Sequence, residues 1–135
     1  MRLIDPSATD FEAIRRDFRW SIPEKINIAY QVCDRHLQRA QQVAVYYENA
    51  VGQRAKYSFA DLKKLSDQFA NALRAIGIGR GDRVAIVLPQ TIETVIAHLA
   101  IHKLGAVSLP LAILFGPEAL EYRLRDSGAS AAIVH

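Results

Sequence analysis

With one cysteine, Cys33, among its 135 residues, the chain has no internal disulfide available to it. That favours a reducing compartment. No apolar stretch approaches the roughly 20 residues needed to span a membrane. The first residues, MRLIDPSATDFEAIRRDF, hold no apolar core of signal-peptide length. These absences together predict a cytoplasmic protein with no membrane span. An excess of one charge is also missing: seventeen Lys and Arg stand against fourteen acids, a formal net charge of +3. The basic residues are scattered and form no run, which argues against a nucleic-acid partner. Internal repeats and low-complexity segments are absent. What is present is a composition 50% hydrophobic and 23% charged, at a length suited to one compact domain.

Residues 1–42 read as a helical segment without strands. Thr9-Asp-Phe-Glu12 fits a capping box, and Phe11, Ile14 and Phe18 then share one helical face. After Pro23, Asn27 is placed to cap a second helix in which Ala29, Val32, Cys33, His36, Leu37 and Ala40 keep helical spacing. At residue 43 the period changes. Val43-Ala-Val-Tyr-Tyr47 is rich in β-branched and aromatic residues, turn residues follow, and Arg54-Ala-Lys-Tyr57 returns as the second strand of a hairpin.

From Ser58 the pattern is regular. Ser58-Phe-Ala-Asp61 is a second capping box. It opens a helix with an apolar stripe of Phe59, Leu62, Leu65, Phe69, Leu73 and Ile76, and Gly77 is placed to stop it. Arg83-Val-Ala-Ile-Val-Leu88 is a continuous apolar run of the kind buried on both faces of a parallel sheet. A helix over 91–104 is stopped by Gly105, and a short strand over 106–109 precedes Pro110. Pro117 suits a first helical turn, with Leu120 and Leu124 facing inward and Gly128 as terminator. Ala131-Ala-Ile-Val134 is a last strand. Helix and strand alternate three times after residue 58, which predicts an α/β fold built on a mainly parallel sheet. The domain division expected is 1–42, helical, and 43–135, α/β. The last strand runs into His135 with no further crossover, which reads as truncation.

No motif supplies a convincing active site. Gly77-Ile-Gly-Arg-Gly-Asp82 is glycine-rich but follows a helix and leads into a strand. A phosphate loop has the reverse order, because helix N-terminal amides must meet the anion. The expected role is a helix stop and turn. His98 and His102 share a helix face, yet residue 99 is Leu and no third ligand is near, so no metal site is expected. Cys33 and His36 fall on an apolar stripe and read as core. Trp20, Tyr30, Tyr46, Tyr47 and Tyr57 are not interleaved with basic residues and read as packing rather than as a base-stacking platform.

Taken in order, residues 57–135 nonetheless resemble the start of the large domain of the adenylate-forming superfamily. The resemblance is carried by Tyr-Ser-Phe-Ala-Asp-Leu62, by Ala72-Leu-Arg-Ala-Ile-Gly-Ile-Gly-Arg-Gly-Asp-Arg-Val-Ala-Ile-Val-Leu-Pro89, by Lys103-Leu-Gly-Ala-Val-Ser-Leu-Pro110 and by Phe115-Gly-Pro-Glu-Ala-Leu-Glu-Tyr-Arg-Leu-Arg-Asp-Ser-Gly-Ala129. Asn27-Ile-Ala-Tyr-Gln-Val-Cys-Asp-Arg-His36 resembles a segment near the start of acetyl- and medium-chain acyl-CoA synthetases. The family implied is that of AMP-forming acyl-CoA synthetases, of which this chain resembles the partial N-terminal subdomain. That resemblance implies a two-step reaction. A carboxylic acid attacks the α-phosphate of Mg-ATP to give acyl-AMP, and the thiol of CoA then displaces AMP. The family's phosphate loop, its aromatic–Gly–x–Thr–Glu segment, its ribose-binding Asp and its C-terminal Lys have no counterpart here and are expected beyond His135, so no catalytic residue is assigned within the chain. By resemblance, the segment matching Leu114-Phe-Gly-Pro117 lies near the CoA and acyl side, which makes Phe115 and Gly116 the cofactor-binding candidates. Both also read as an ordinary strand-to-helix loop. The longer glycine insertion of acetyl-CoA synthetases is missing at this loop, which leans toward a longer or aromatic acyl group.

Two other functions compete. A stand-alone binding or regulatory module on the same fold would lack a downstream phosphate loop in its reading frame. A nucleotide-dependent oxidoreductase would need glycines directly after a strand, where Leu88-Pro-Gln-Thr91 has none. The unfinished sheet is expected to make the chain self-associate. The missing phosphate loop generates a direct prediction. In pyrophosphate exchange with ATP and a panel of acids, these 135 residues give no turnover above background; activity that survives repurification refutes this.

Overall fold

The structure, a computed structural model, describes residue 7, residues 9–20 and residues 22–135. Its first elements are short. Helix α1 (Phe11–Asp17) is capped by Asp10, whose carboxylate accepts from the Glu12 amide at 3.0 Å. The Thr9 box gives way to Asp10 because a carboxylate is the stronger acceptor and its charge suits the positive helix end. Helix α2 (Ile28–Val32) is capped as expected: the Asn27 side chain accepts from the Tyr30 amide at 3.1 Å. The expected single helix over 28–40 is divided, however. Cys33 leaves helical geometry, and a 3-10 segment, Asp34–Arg39, comes next. Periodicity in sequence is insensitive to this break, which lets Ala29 and Cys33 remain in one buried cluster.

Strands β1 (Val43–Glu48) and β2 (Arg54–Ser58) form the antiparallel hairpin, with Glu48 opposite Arg54 and Tyr46 opposite Lys56. Asn49 organises its turn, accepting from the amides of Val51 and Gln53 at 3.1 and 2.9 Å. Ser58 then caps α3 (Phe59–Ala75) in a full capping box. The Asp61 amide donates to the Ser58 hydroxyl at 3.1 Å, and the Ser58 amide donates back to Asp61 at 2.9 Å.

After α3 come β3 (Arg83–Val87), α4 (Ile92–Lys103), β4 (Val107–Pro110), α5 (Pro117–Ser127) and β5 (Ala131–Val134). The three strands form one parallel sheet in the order β4-β3-β5. The continuous apolar run of β3 is explained by this central place: Val84, Ala85 and Ile86 are all buried. Val84 and Ile86 cluster with Ala70 and Leu73 of α3 and with Ala97, Ala100 and Ile101 of α4. Removing side chains of the size of Val or Ile from water stabilises by about 1.5–3 kcal/mol each. The chain steps from β3 to β4 on one side and then crosses to β5 on the other. Right-handed crossovers in opposite directions place α4 and α5 on opposite faces. No residue of α5 is buried, so Leu120 and Leu124, expected to face inward, are only half-covered. Helix α5 lies on that face, whereas α3 and α4 pack together on the other.

Each of the three main helices is ended by a glycine turn of the same design. After α3, the Gly77 amide donates to Arg74 and the Ile78 amide to Leu73, at 3.0 Å each. After α4, Gly105 donates to His102 and Ala106 to Ile101. After α5, Gly128 donates to Arg125 and Ala129 to Leu124. These are Schellman motifs, which satisfy the last helical carbonyls through one left-handed residue. Ile76, expected on the buried stripe, is 70% exposed, because the turn brings Ile78 down against Leu73 instead. Gly77 has φ +92, and a β-carbon there would meet nothing within 4 Å. The whole penalty of Gly77→Ala is therefore backbone strain. The expected loss is about 1 kcal/mol, read as a lower urea midpoint at unchanged slope.

Candidate functional site

In an open parallel sheet, ligands bind outside the carboxyl ends of the strands, where neighbouring connections leave toward opposite faces. Here that point lies between β3 and β4. The exit from β3, residues 88–91, runs to α4; the exit from β4, residues 111–116, runs to α5. The two are tied together at their base, where the Leu111 amide donates to the Ile86 carbonyl at 2.9 Å. Phe115 and Gly116 lie in the β4–α5 connection, on the carboxyl-end side of the sheet.

The rim loop is ordered by its own bonds. The Phe115 amide closes a turn onto Ala112 at 3.2 Å. The Arg123 guanidinium lies over the Phe115 ring, 4.0 Å from its centroid, and Nη1 donates to the Ala119 carbonyl at 2.9 Å. Leu114 at the tip is 91% exposed. Gly116 is the N-cap of α5, supplies no side-chain acceptor, and has φ −68. A β-carbon there would meet nothing within 4 Å. Neither backbone conformation nor packing requires glycine at this position.

The remaining sequence candidates have structural partners. In the Gly77–Asp82 turn, the Gly79 amide donates to Asp82 at 2.7 Å and the Gly81 amide to the Gly105 carbonyl at 3.1 Å, so those amides are already used. His98 and His102 stack at 6.1 Å. Burial, and secondarily His98, pushes the His102 imidazole below its ordinary range. Among the described residues no group of three potential metal ligands exists. Cys33 is buried, and burial followed by the neighbouring Asp34 carboxylate raises its thiol, the opposite of an activated nucleophile. His36 is half-buried and packs on the Phe59 ring at 5.3 Å. Trp20, beyond the end of α1, Tyr30 of α2 and Tyr46 of β1 are exposed, and Lys56 sits 5.5 Å from the Tyr46 ring centre.

One cluster escapes sequence reading. Lys103, at the end of α4, places Nζ 2.6 Å from Asp67 of α3 and 3.1 Å from Asp34. Its side chain is only 11% exposed. Lys63 pairs with Asp67 from one turn away. The contact of Lys103 with Asp34 Oδ1 is an ion pair without hydrogen-bond alignment, which leaves that buried oxygen dependent on the lysine's charge. Asn27 adds a tie, donating from Nδ2 to the His102 carbonyl at 2.7 Å. Lys103 and Asp67 are 36 residues apart, and only the i,i+4 pair Lys63–Asp67 has a local signature.

These features define an open parallel α/β domain whose strand connections diverge between β3 and β4. The chain belongs to the AMP-binding enzyme family, whose profile matches residues 33–135. It is 38% identical over 117 residues to the 3-hydroxypropionyl-coenzyme A synthetase of Sulfurisphaera tokodaii, a match that covers 85% of this chain and 18% of that protein. It is 37% identical over 134 residues to the acetyl-coenzyme A synthetase of Pasteurella multocida, covering 98% and 20%. Among solved structures, the acyl-CoA synthetase of Brucella canis superposes with a TM-score of 0.77 at 35% identity, over 81% of this chain and 20% of that one. The chain spans about a fifth of the length of the curated relatives it matches. No helix of the described residues is long and apolar enough to cross a membrane.

The site's geometry yields two predictions. Gly116→Ser adds a capping oxygen where none exists, so stability holds or rises by a few tenths of a kcal/mol, as checked by thermal melting. Lys103→Met leaves Asp34 without its cation and Asp67 with Lys63 alone, and costs about 2 kcal/mol, a figure reduced from the fully buried case because Asp67 is partly exposed. Burial pushes the Asp67 carboxyl up, but the hydrogen bonds from Lys103 and Lys63 outweigh it and hold the group below its ordinary range. A carboxylate depressed in the folded state stabilises above its unfolded value near pH 4 and loses that contribution as pH falls through the folded one. Denaturation in acid should therefore show a flatter pH dependence in Lys103→Met than in the wild-type chain.

Proposed function

We propose that the chain is the N-terminal part of an AMP-forming acyl-CoA synthetase, with 1–42 as a helical lead-in and 43–135 as the start of the large domain. The observation that carries this reading is the match of nearly the whole chain to a fifth of the length of an acetyl-coenzyme A synthetase, together with the family profile over 33–135. The reaction is activation of a carboxylic acid by Mg-ATP to acyl-AMP with release of pyrophosphate, followed by attack of the CoA thiol and release of AMP. Positioning of phosphates and metal falls to residues outside this chain, in a cytoplasmic enzyme. This chain contributes the crevice rim. Phe115 supplies an apolar ring toward the CoA and acyl side, and Gly116 leaves the approach to the first α5 amides clear. Relatives named for acetate and 3-hydroxypropionate support a small acid. The rim lacks the glycine insertion of acetyl-CoA synthetases, and this supports an acid larger than acetate.

The test is the complete reading frame that contains these residues. With ATP, CoA and acids from acetate to benzoate, it should release pyrophosphate and form an acyl-CoA. A reading frame without a Thr-Ser-Gly-Thr-Thr-Gly-like loop, or with no acid-dependent turnover, refutes the ligase reading and favours the stand-alone module. The Gly116→Ser variant of the active enzyme should raise KM for CoA or acid while its melting temperature holds.

The 135 residues by themselves should self-associate. Strand β5 carries no charge and no proline, its outer edge has no partner among the described residues, and Val134 is 66% exposed. Beside it, Leu65, Phe69, Leu88, Ile96 and Ile133 line an apolar groove of about 330 Å³. Sedimentation across a wide concentration range should show mass growing with concentration. A strictly monomeric species that unfolds cooperatively at high concentration refutes it.

A further inference from the structure

Residues 27–39 are held to the rest of the chain by few groups, and those groups converge. Helix α2 has 5 residues and the 3-10 segment has 6. Both fall short of the roughly 12–15 residues a helix needs to persist alone in water. Their order therefore comes from what they pack on, α3 and α4. Only Ala29 and Cys33 of this stretch are buried, and both side chains are small. They belong to the cluster shared with Leu62, Ile92 and Leu99; the cluster packed on the parallel sheet contains no residue of the stretch. Two polar ties reach the last turn of α4. Asn27 Nδ2 donates to the His102 carbonyl at 2.7 Å, and Lys103 Nζ lies 3.1 Å from Asp34 Oδ1. A third tie, the Cys33 thiol on the Phe59 carbonyl at 3.8 Å, is weak. Beyond residue 39 the chain is hinged at the start of α3, where the Ala60 amide donates to Ala40 at 2.9 Å and the Phe59 amide to Gln42 at 3.2 Å.

The charges behave differently on the two sides of this contact. Lys103 also bonds Asp67 at 2.6 Å, and Asp67 pairs with Lys63. Those three groups stay paired when the stretch moves away. Asp34 Oδ1 has no hydrogen bond, so it depends on the lysine's charge while packed and is hydrated once lifted. Lifting thus breaks few bonds, leaves no charge buried without a partner, and spares the sheet. A segment of this kind opens at a lower free energy than the domain as a whole. We infer that residues 27–39 form a strap that lifts from α3 and α4 while the parallel sheet stays folded, with Lys103 as its clasp on Asp34 and Cys33 uncovered by the opening. The strap rests on packing within the chain and is independent of the ligase reading.

The test uses the complete protein that contains these residues. Cys33 is alkylated with iodoacetamide under native conditions and read by mass spectrometry in the tryptic peptide of residues 26–35. Amide exchange of peptides spanning β3 is followed in parallel. In wild type, alkylation should rise only weakly with urea, because lifting a strap exposes little surface. Exchange in β3 should rise steeply, and the two should meet near the unfolding midpoint. A Cys33 that reacts only through the steep, shared process overturns the strap. Lys103→Met should quicken alkylation without urea by about 10-fold, since a buried carboxylate stripped of its cation favours the hydrated state. Asp34→Asn removes the charge of that carboxylate, so the double variant should return to within about 3-fold of Asp34→Asn alone. Lys103→Met alkylated at the wild-type rate, or a double variant as fast as Lys103→Met, overturns the clasp. A Lys103→Met that folds only when Asp34→Asn accompanies it is the same coupling in its extreme form and supports the clasp.

Discussion

The structure depends on β3. It is the only strand of the parallel sheet paired on both sides among the described residues, so its backbone groups are satisfied by β4 and β5 and its side chains face a helical layer on each side. That position imposes an uncharged sequence from Val84 to Val87, because either face of the strand is inside. It also fixes the order of the sheet, with β4 on one side and β5 on the other. The two right-handed crossovers that achieve this send their helices to opposite faces. The divergence of the connections at the ends of β3 and β4 is the geometric consequence.

Around that strand, one local device recurs. The three glycine turns at Gly77, Gly105 and Gly128 each stop a helix, satisfy its last carbonyls and aim the chain at the next strand. They also explain why a glycine-rich segment here is unrelated to phosphate. These glycines stand at the carboxyl ends of helices, where backbone carbonyls, not amides, are the free groups. The amino ends of α4 and α5, opened by Thr91 and Gly116, follow instead directly on the exits of β3 and β4.

The N-terminal segment is joined to this frame chiefly by burial and charge. Ala29 and Cys33 share a cluster with Leu62, Ile92 and Leu99. Lys103 holds Asp34 and Asp67 together between α4, α3 and the 3-10 segment. Packing is therefore continuous across residue 42, where composition changes. The segment's described part from Asn27 to Arg39 lies against α3 and α4.

The sequence by itself determined the elements whose causes are local. The Ser58–Asp61 capping box, the Asn27 cap, the hairpin period and the glycine stops all act through neighbours within about a turn, so their signals survive without tertiary context. The apolar run of β3 likewise declared a strand buried on both faces. What only the tertiary structure decided are the matters of distance. The break at Cys33 comes from where its flanking helix packs; the exposure of Ile76 comes from the turn that substitutes Ile78. Lys103 meets Asp34 and Asp67, and the exits of β3 and β4 come side by side, only once crossovers have set strand order. Periodicity records which face of an element is apolar, but not which partner covers it.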